Sequence, residues 1–134
     1  MPLVVVSEKI GKLAIILKST EEVDTTTFFS SPEDAMQIGL ISTDFDRGIP
    51  KHKHLNFERN LTSTSEFLLV RQGTCTLNLW GMEEEEVQSF ELNVGDSVLL
   101  LGGVHSIDSQ TKNLLLLEVK QGPYAGSLDK ILLG

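Results

Sequence analysis

The stretch Glu66-Phe67-Leu68-Leu69-Val70-Arg71-Gln72-Gly73-Thr74-Cys75-Thr76-Leu77-Asn78-Leu79-Trp80 holds two β-like runs joined at Gln72-Gly73. Side chains that alternate between apolar and polar mark strands with one buried face. A glycine between two such runs supplies the positive φ of a tight turn, so the stretch predicts a β-hairpin. Counting in twos, Leu68 and Val70 share a face with Glu66, which puts a carboxylate at the end of an inward, apolar stripe. An isolated buried ion costs on the order of several kcal/mol, so a cation or a hydrogen-bond partner is implied beside Glu66. Cys75 shares its face with Leu77 and Leu79 and reads as a small buried hydrophobe.

Outward from this stretch, further runs rich in Val, Ile, Leu, Thr and Phe recur between Gly, Asp, Asn and Ser signals. Strands are expected over 3–6, 13–18, 25–29, 36–45, 51–55, 66–71, 74–80, 87–92, 97–100 and 114–120. That pattern predicts an all-β sandwich or barrel built as a single domain over 1–134. Ser31-Pro32-Glu33-Asp34 carries the one helical signal, an N-cap followed by proline and acids, and is expected to form one turn at most. The run Leu114-Leu115-Leu116-Leu117 is apolar on both faces, which suits a strand covered on both sides, in the sandwich or at a subunit contact. The acid run Glu83-Glu84-Glu85-Glu86 reads as a solvated hairpin tip.

With 134 residues, 40% of them apolar and 22% charged, the chain has the size and balance of one compact domain. A net charge of −8 repels polyanions, which argues against nucleic acid and anionic membrane surfaces and in favour of small-molecule partners. Cys75 is the single cysteine, so no internal disulfide forms and a cytoplasmic protein is expected. The opening Met1-Pro2-Leu3-Val4-Val5-Val6-Ser7-Glu8 has too short an apolar run and no basic flank for a signal peptide. No run reaches the roughly 18 apolar residues of a spanning helix.

All three histidines fall in two short segments, Gly48-Ile49-Pro50-Lys51-His52-Lys53-His54 and Gly95-Asp96-Ser97-Val98-Leu99-Leu100-Leu101-Gly102-Gly103-Val104-His105. On an extended strand a His-x-His pair presents both imidazoles to one side, and a third histidine can then close a facial metal site.

These segments resemble the two signatures of the cupin superfamily, whose small barrels are double-stranded β-helices of the jelly-roll type. Gly48 to His54 is similar to the opening of the first signature, and Glu66 to Gly73 matches its close. Gly95-Asp96 and Gly102-Gly103-Val104-His105 are similar to the ends of the second. The resemblance implies that His52, His54, Glu66 and His105 ligate one divalent first-row metal ion, Fe, Mn, Ni, Co or Zn. Two departures stand out: residues 55–65 form an insertion between His54 and Glu66, and the second signature lacks its proline. Glu58 stands at the family's usual distance from His54 and is the alternative carboxylate, with Glu66 preferred.

The tail Glu118-Val119-Lys120-Gln121-Gly122-Pro123-Tyr124 resembles that of small single-domain cupins, some linked to surface-polysaccharide pathways. Tyr124, the only tyrosine, is a candidate general acid, and Glu58 is the other candidate catalytic residue. Three functions follow from the resemblance. One is a metal-dependent isomerase or dioxygenase acting on a small polar metabolite or sugar derivative. The second is a metal-free sugar-nucleotide epimerase or isomerase, and the third is a non-catalytic metabolite-binding module. A homodimer is expected through the 114–117 run.

Overall fold

The computed structural model describes residues 1–7 and 9–134, the side chains of residues 86 and 87 excepted. Glu8, in the opening segment, lies outside the described residues. The described residues form ten strands: β1 (Leu3–Ser7), β2 (Gly11–Leu17), β3 (Thr27–Phe28), β4 (Gly39–Leu40), β5 (Glu66–Gln72), β6 (Cys75–Trp80), β7 (Glu86–Leu92), β8 (Ser97–Leu100), β9 (Val104–Ser109) and β10 (Leu115–Lys120). A single 3₁₀ turn, Gly126–Leu128, follows them, and no α-helix occurs among the described residues. Among the described residues no helix is long and apolar enough to cross a membrane.

Five strands form one antiparallel sheet in the order β1-β2-β8-β5-β10, and three form another in the order β7-β6-β9. β3 and β4 pair as a two-stranded ribbon. Ala14, Ile16, Leu68, Val70, Val98 and Leu100 from the larger sheet pack with Cys75, Leu77, Leu79 and Leu92 of the smaller one in the main core. A second cluster lies on the opposite face of the large sheet, where Phe29, Met36, Ile38 and Leu40 cover Ile15, Leu17 and Leu99. β2 and β8 are therefore buried on both faces, which explains their unbroken apolar runs.

The 66–80 segment departs from the expected hairpin. β5 pairs with β8 and β10 while β6 pairs with β7 and β9, so the turn at Gly73 links one sheet to the other. Gly73 takes φ 84°, and a Cβ there would collide with the Thr111 side chain. Alternation reports which face is buried and not which strand lies alongside, so two strands facing each other across a core carry the same pattern as a paired hairpin.

Other expected elements also shift. The 36–45 run contributes only β4, and residues 51–55 form no strand, because lysines and histidines give that segment no apolar face and Pro50 lacks a donor. β9 was not anticipated as a strand. The Ser31-Pro32-Glu33-Asp34 segment is a turn in which Ser31 N–H donates to Asp34 Oδ2 at 2.8 Å, and Lys12 Nζ meets the same oxygen at 2.7 Å. Glu83, Glu84 and Glu85 lie in the β6–β7 connection with Glu83 and Glu84 exposed, and Glu86 opens β7, its side chain outside the described residues. β10 is an edge strand whose Leu115, Leu117 and Val119 stand about half-exposed on the outer face, so the sandwich does not cover that side.

The Gly95-Asp96 turn anchors β8. Gly95 takes φ 89°, and the nearly buried Asp96 accepts the N–H groups of Ser19 and Asn93, each at 2.8 Å, and Lys18 Nζ at 3.2 Å. Burial pushes this carboxyl up, but the two backbone N–H groups and Lys18 outweigh it and hold the group below its ordinary range. A depressed folded value contributes stability above the unfolded pKa of about 3.9, and that contribution is lost as pH falls through the folded value. Asp96→Asn is expected to cost roughly 1–3 kcal/mol at neutral pH. Urea melts at pH 7 and about pH 3 should show the gap between variant and parent shrinking at the acid end, and an unchanged gap would contradict the assignment.

Candidate functional site between the ends of the two sheets

Glu66 opens β5 and His105 is the second residue of β9, so the two sheets bring a carboxyl and an imidazole face to face. Their parity accounts for this. Glu66 shares the inward face with Leu68 and Val70, and His105 stands opposite the buried Leu79 on β6 and in step with Ile107. Glu66 Oε2 lies 3.8 Å from His105 Nε2, with side chains 20% and 31% exposed.

Burial, then a hydrogen bond with the Glu118 carboxyl and that group's charge, push Glu66 above the ordinary carboxylate range, while Lys120 pulls the other way. Burial pushes His105 below the ordinary imidazole range, helped by Lys130 and opposed by Glu118. Both shifts favour uncharged forms. At 3.8 Å the two groups stand just beyond hydrogen-bond distance, and both shifts weaken the ion pair between them.

Three further residues of this site carry no signal in the motifs. Lys120 ends β10 directly opposite Glu66, so it shares the inward face, and Glu118 opposite Leu68 does the same. Lys120 Nζ donates to Asp129 Oδ2 at 3.2 Å, and that bond raises the lysine above its ordinary value. Residues two apart on a strand share a face, so the Glu118-Val119-Lys120 spacing could have flagged the first two once the register with Glu66 was known. Asp129 arrives through tertiary folding of the tail, for which the sequence offers no local pattern.

His52 and His54 stand together elsewhere, in the exposed segment between β4 and β5. Their ring centroids are 5.2 Å apart at an interplanar angle of 70°. His52 Nδ1 lies 2.8 Å from the Pro50 carbonyl oxygen, which can only accept, so Nδ1 carries the proton and Nε2 of the neutral ring keeps its lone pair. Such a backbone-oriented imidazole is the form metal ligands take. The structure thus brings Glu66 to His105 and His52 to His54 but does not bring the two pairs together. Among the described residues, no three His, Cys, Asp or Glu side chains are gathered as around a metal ion.

Glu58 is exposed in the same segment as His52 and His54, and Tyr124 is exposed beyond β10 with Lys120 Nζ 5.5 Å from its ring centroid. An open cavity of about 500 Å³ lies between residues 24–26 and 41–50, lined by Ser42, Asp44, Arg47 and Pro50 among others. None of the candidate ligands lines it. That cavity opens to solvent and has a mixed lining, Asp44 and Arg47 beside Ile41, Ile49 and Pro50, whereas the Glu66–His105 side chains are partly shielded. No protein-family model matches the chain, and neither a curated protein nor a solved structure is significantly similar to it.

Proposed function

We propose that this chain is a small jelly-roll protein of the cupin type that binds one divalent first-row metal ion and acts on a small polar metabolite. Glu66, His105, His52 and His54 would hold the ion. The observation that carries the reading is the Glu66–His105 contact at 3.8 Å between facing sheets, because it supplies one oxygen and one nitrogen donor in a partly dry place. Neutral imidazole is the ligating form, and the depressed His105 provides it at neutral pH. The outer edge of β9 pairs with no strand among the described residues. The 49–57 segment, extended against that edge, would add two more imidazoles to the same face.

When bound, such an ion supplies Lewis acidity toward a carbonyl or enediol oxygen. The chain's own groups bind and orient the substrate and manage its protons. Glu66 and His105 face each other at 3.8 Å, the carboxyl raised and the imidazole lowered from their ordinary values by burial. The same juxtaposition supports a second reading, metal-free proton transfer between a carboxyl and an imidazole whose surroundings move their pKa values toward each other. The half-exposed outer face of β10 supports a homodimer within either reading.

Elemental analysis of protein purified without a metal-chelating tag tests the first reading. One first-row metal ion per chain is expected, with most of it lost in His105→Ala and in His52→Ala. Metal-free protein whose melting temperature is unmoved by added Zn(II), Mn(II) or Fe(II) would sink it.

A further inference from the structure

We infer that a second copy of this chain pairs with the free edge of β10, antiparallel and with the two Val119 residues facing each other, so that the larger sheet continues across a two-fold axis. This pairing is independent of the metal reading and gives the β10 face its partner and its register.

β10 ends its sheet beside β5, and no strand among the described residues lies along its other side. Gln121 N–H donates to the Ser65 carbonyl at 3.0 Å, one step beyond the Lys120–Glu66 pair. Backbone bonds with β5 therefore fall on Leu117, Val119 and Gln121, and alternation turns the N–H and C=O groups of Leu116, Glu118 and Lys120 outward. Among the described residues no loop backbone bonds to those outward groups. Leu117, Glu118 and Val119 are exposed in succession, so neither face of the strand is covered there. An open edge of this kind is a template for another strand.

Charge decides which strand fits. Glu118 and Lys120 point inward from this edge, and charges so placed resist any partner that leaves them unmatched. A copy of β10 matches them in one register. Pairing about a two-fold axis keeps inward residues opposite inward residues only if the axis passes through a residue position. With Glu118 or Lys120 on the axis, like charges stand opposite each other. With Leu117 there, Glu118 faces Leu116, and Lys120 meets the bulged start of the copy's strand. With Val119 there, Glu118 of each copy stands opposite Lys120 of the other, and these are the pairs whose outward backbone groups exchange both bonds. Asp129 takes one donor of the Lys120 ammonium, at 3.2 Å, and leaves the others free.

The outer face gains as well. Leu117 and Val119 of the two copies join into one apolar stripe, backed by Leu69 and Phe67 opposite them on β5. The far edge of the same sheet lacks these features, since β1 is bulged between Val5 and Val6 and carries no charge to set a register.

Sedimentation equilibrium and disulfide cross-linking on the full chain test this. The parent should sediment as a dimer at micromolar concentration. Facing Cα atoms in a pair without mutual backbone bonds lie about 4.5 Å apart, within disulfide reach. Val119→Cys should therefore cross-link between copies on mild oxidation, whereas Leu117→Cys, roughly 13 Å from its counterpart, should not. The parent, whose only cysteine is buried, is the control. Glu118→Lys should weaken the dimer about tenfold or more by setting lysines opposite each other, and adding Lys120→Glu to it should restore association. If a charge variant does not fold, the two cysteine variants on the half-exposed face still decide the matter. A monomeric parent, a cross-link at Leu117→Cys in place of Val119→Cys, or a folded charge swap that fails to reassociate would each overturn the pairing.

Discussion

Gly103→Ala is expected to destabilise the protein by more than about 3 kcal/mol, whereas Gly102→Ala, one residue earlier, should stay within about 0.5 kcal/mol of the parent. Gly103 takes φ +79°, and a Cβ there would lie 2.5 Å from the Trp80 carbonyl oxygen and 2.7 Å from Leu13 Cδ2. The left-handed backbone alone costs an L-residue roughly 1–2 kcal/mol. The collision with Trp80 adds to it, because that carbonyl belongs to the β6 backbone where Trp80 faces Val104, and moving it disturbs the ladder that positions His105. At Gly102 the nearest atoms are 3.8 and 3.9 Å away, which is ordinary contact. Urea denaturation of both variants checks the contrast, and a Gly103→Ala loss below about 1 kcal/mol would show that the turn relaxes without strain.

Leu77→Ala is expected to cost about 3–4 kcal/mol, near the middle of the range for fully buried leucines. Leu77 is 0% exposed at the centre of β6, between Phe90 on β7 and Ile107 on β9, and it belongs to the cluster that joins the two sheets. No neighbouring loop can collapse into the void because strands bound it on both sides, so the cavity penalty stays high. Leu117→Ala, on the half-exposed face of β10, removes the same atoms and should cost less than about 1 kcal/mol in the monomer. Equal losses at the two positions would contradict the packing described.

The all-β character and the inward faces of β5 and β6 were legible, since Leu68, Val70, Cys75, Leu77 and Leu79 all follow period two into the core. Partners were not legible. The same alternation at 66–80 serves two sheets instead of one hairpin, and β9 has no apolar stripe to announce it, because its inner face carries Ile107 between the polar His105 and Ser109. For the site, the parity of Glu66 was readable, but Glu118, Lys120 and Asp129 reach it only through strand register and the return of the tail. His52 and His54 carried the strongest motif and the weakest local structure, since a run of lysines and histidines has no apolar side to hold it against a sheet.

The lone cysteine turns the interior into a clock. Cys75 lies at the corner where the chain passes from the larger sheet to the smaller one, wholly shielded, with burial and then the charge of Asp96 pushing its thiol up. A disulfide reagent in the surrounding water finds no thiolate to attack until the layers part. The rate at which it is labelled therefore counts separations of the two layers, in a chain that needs no added probe.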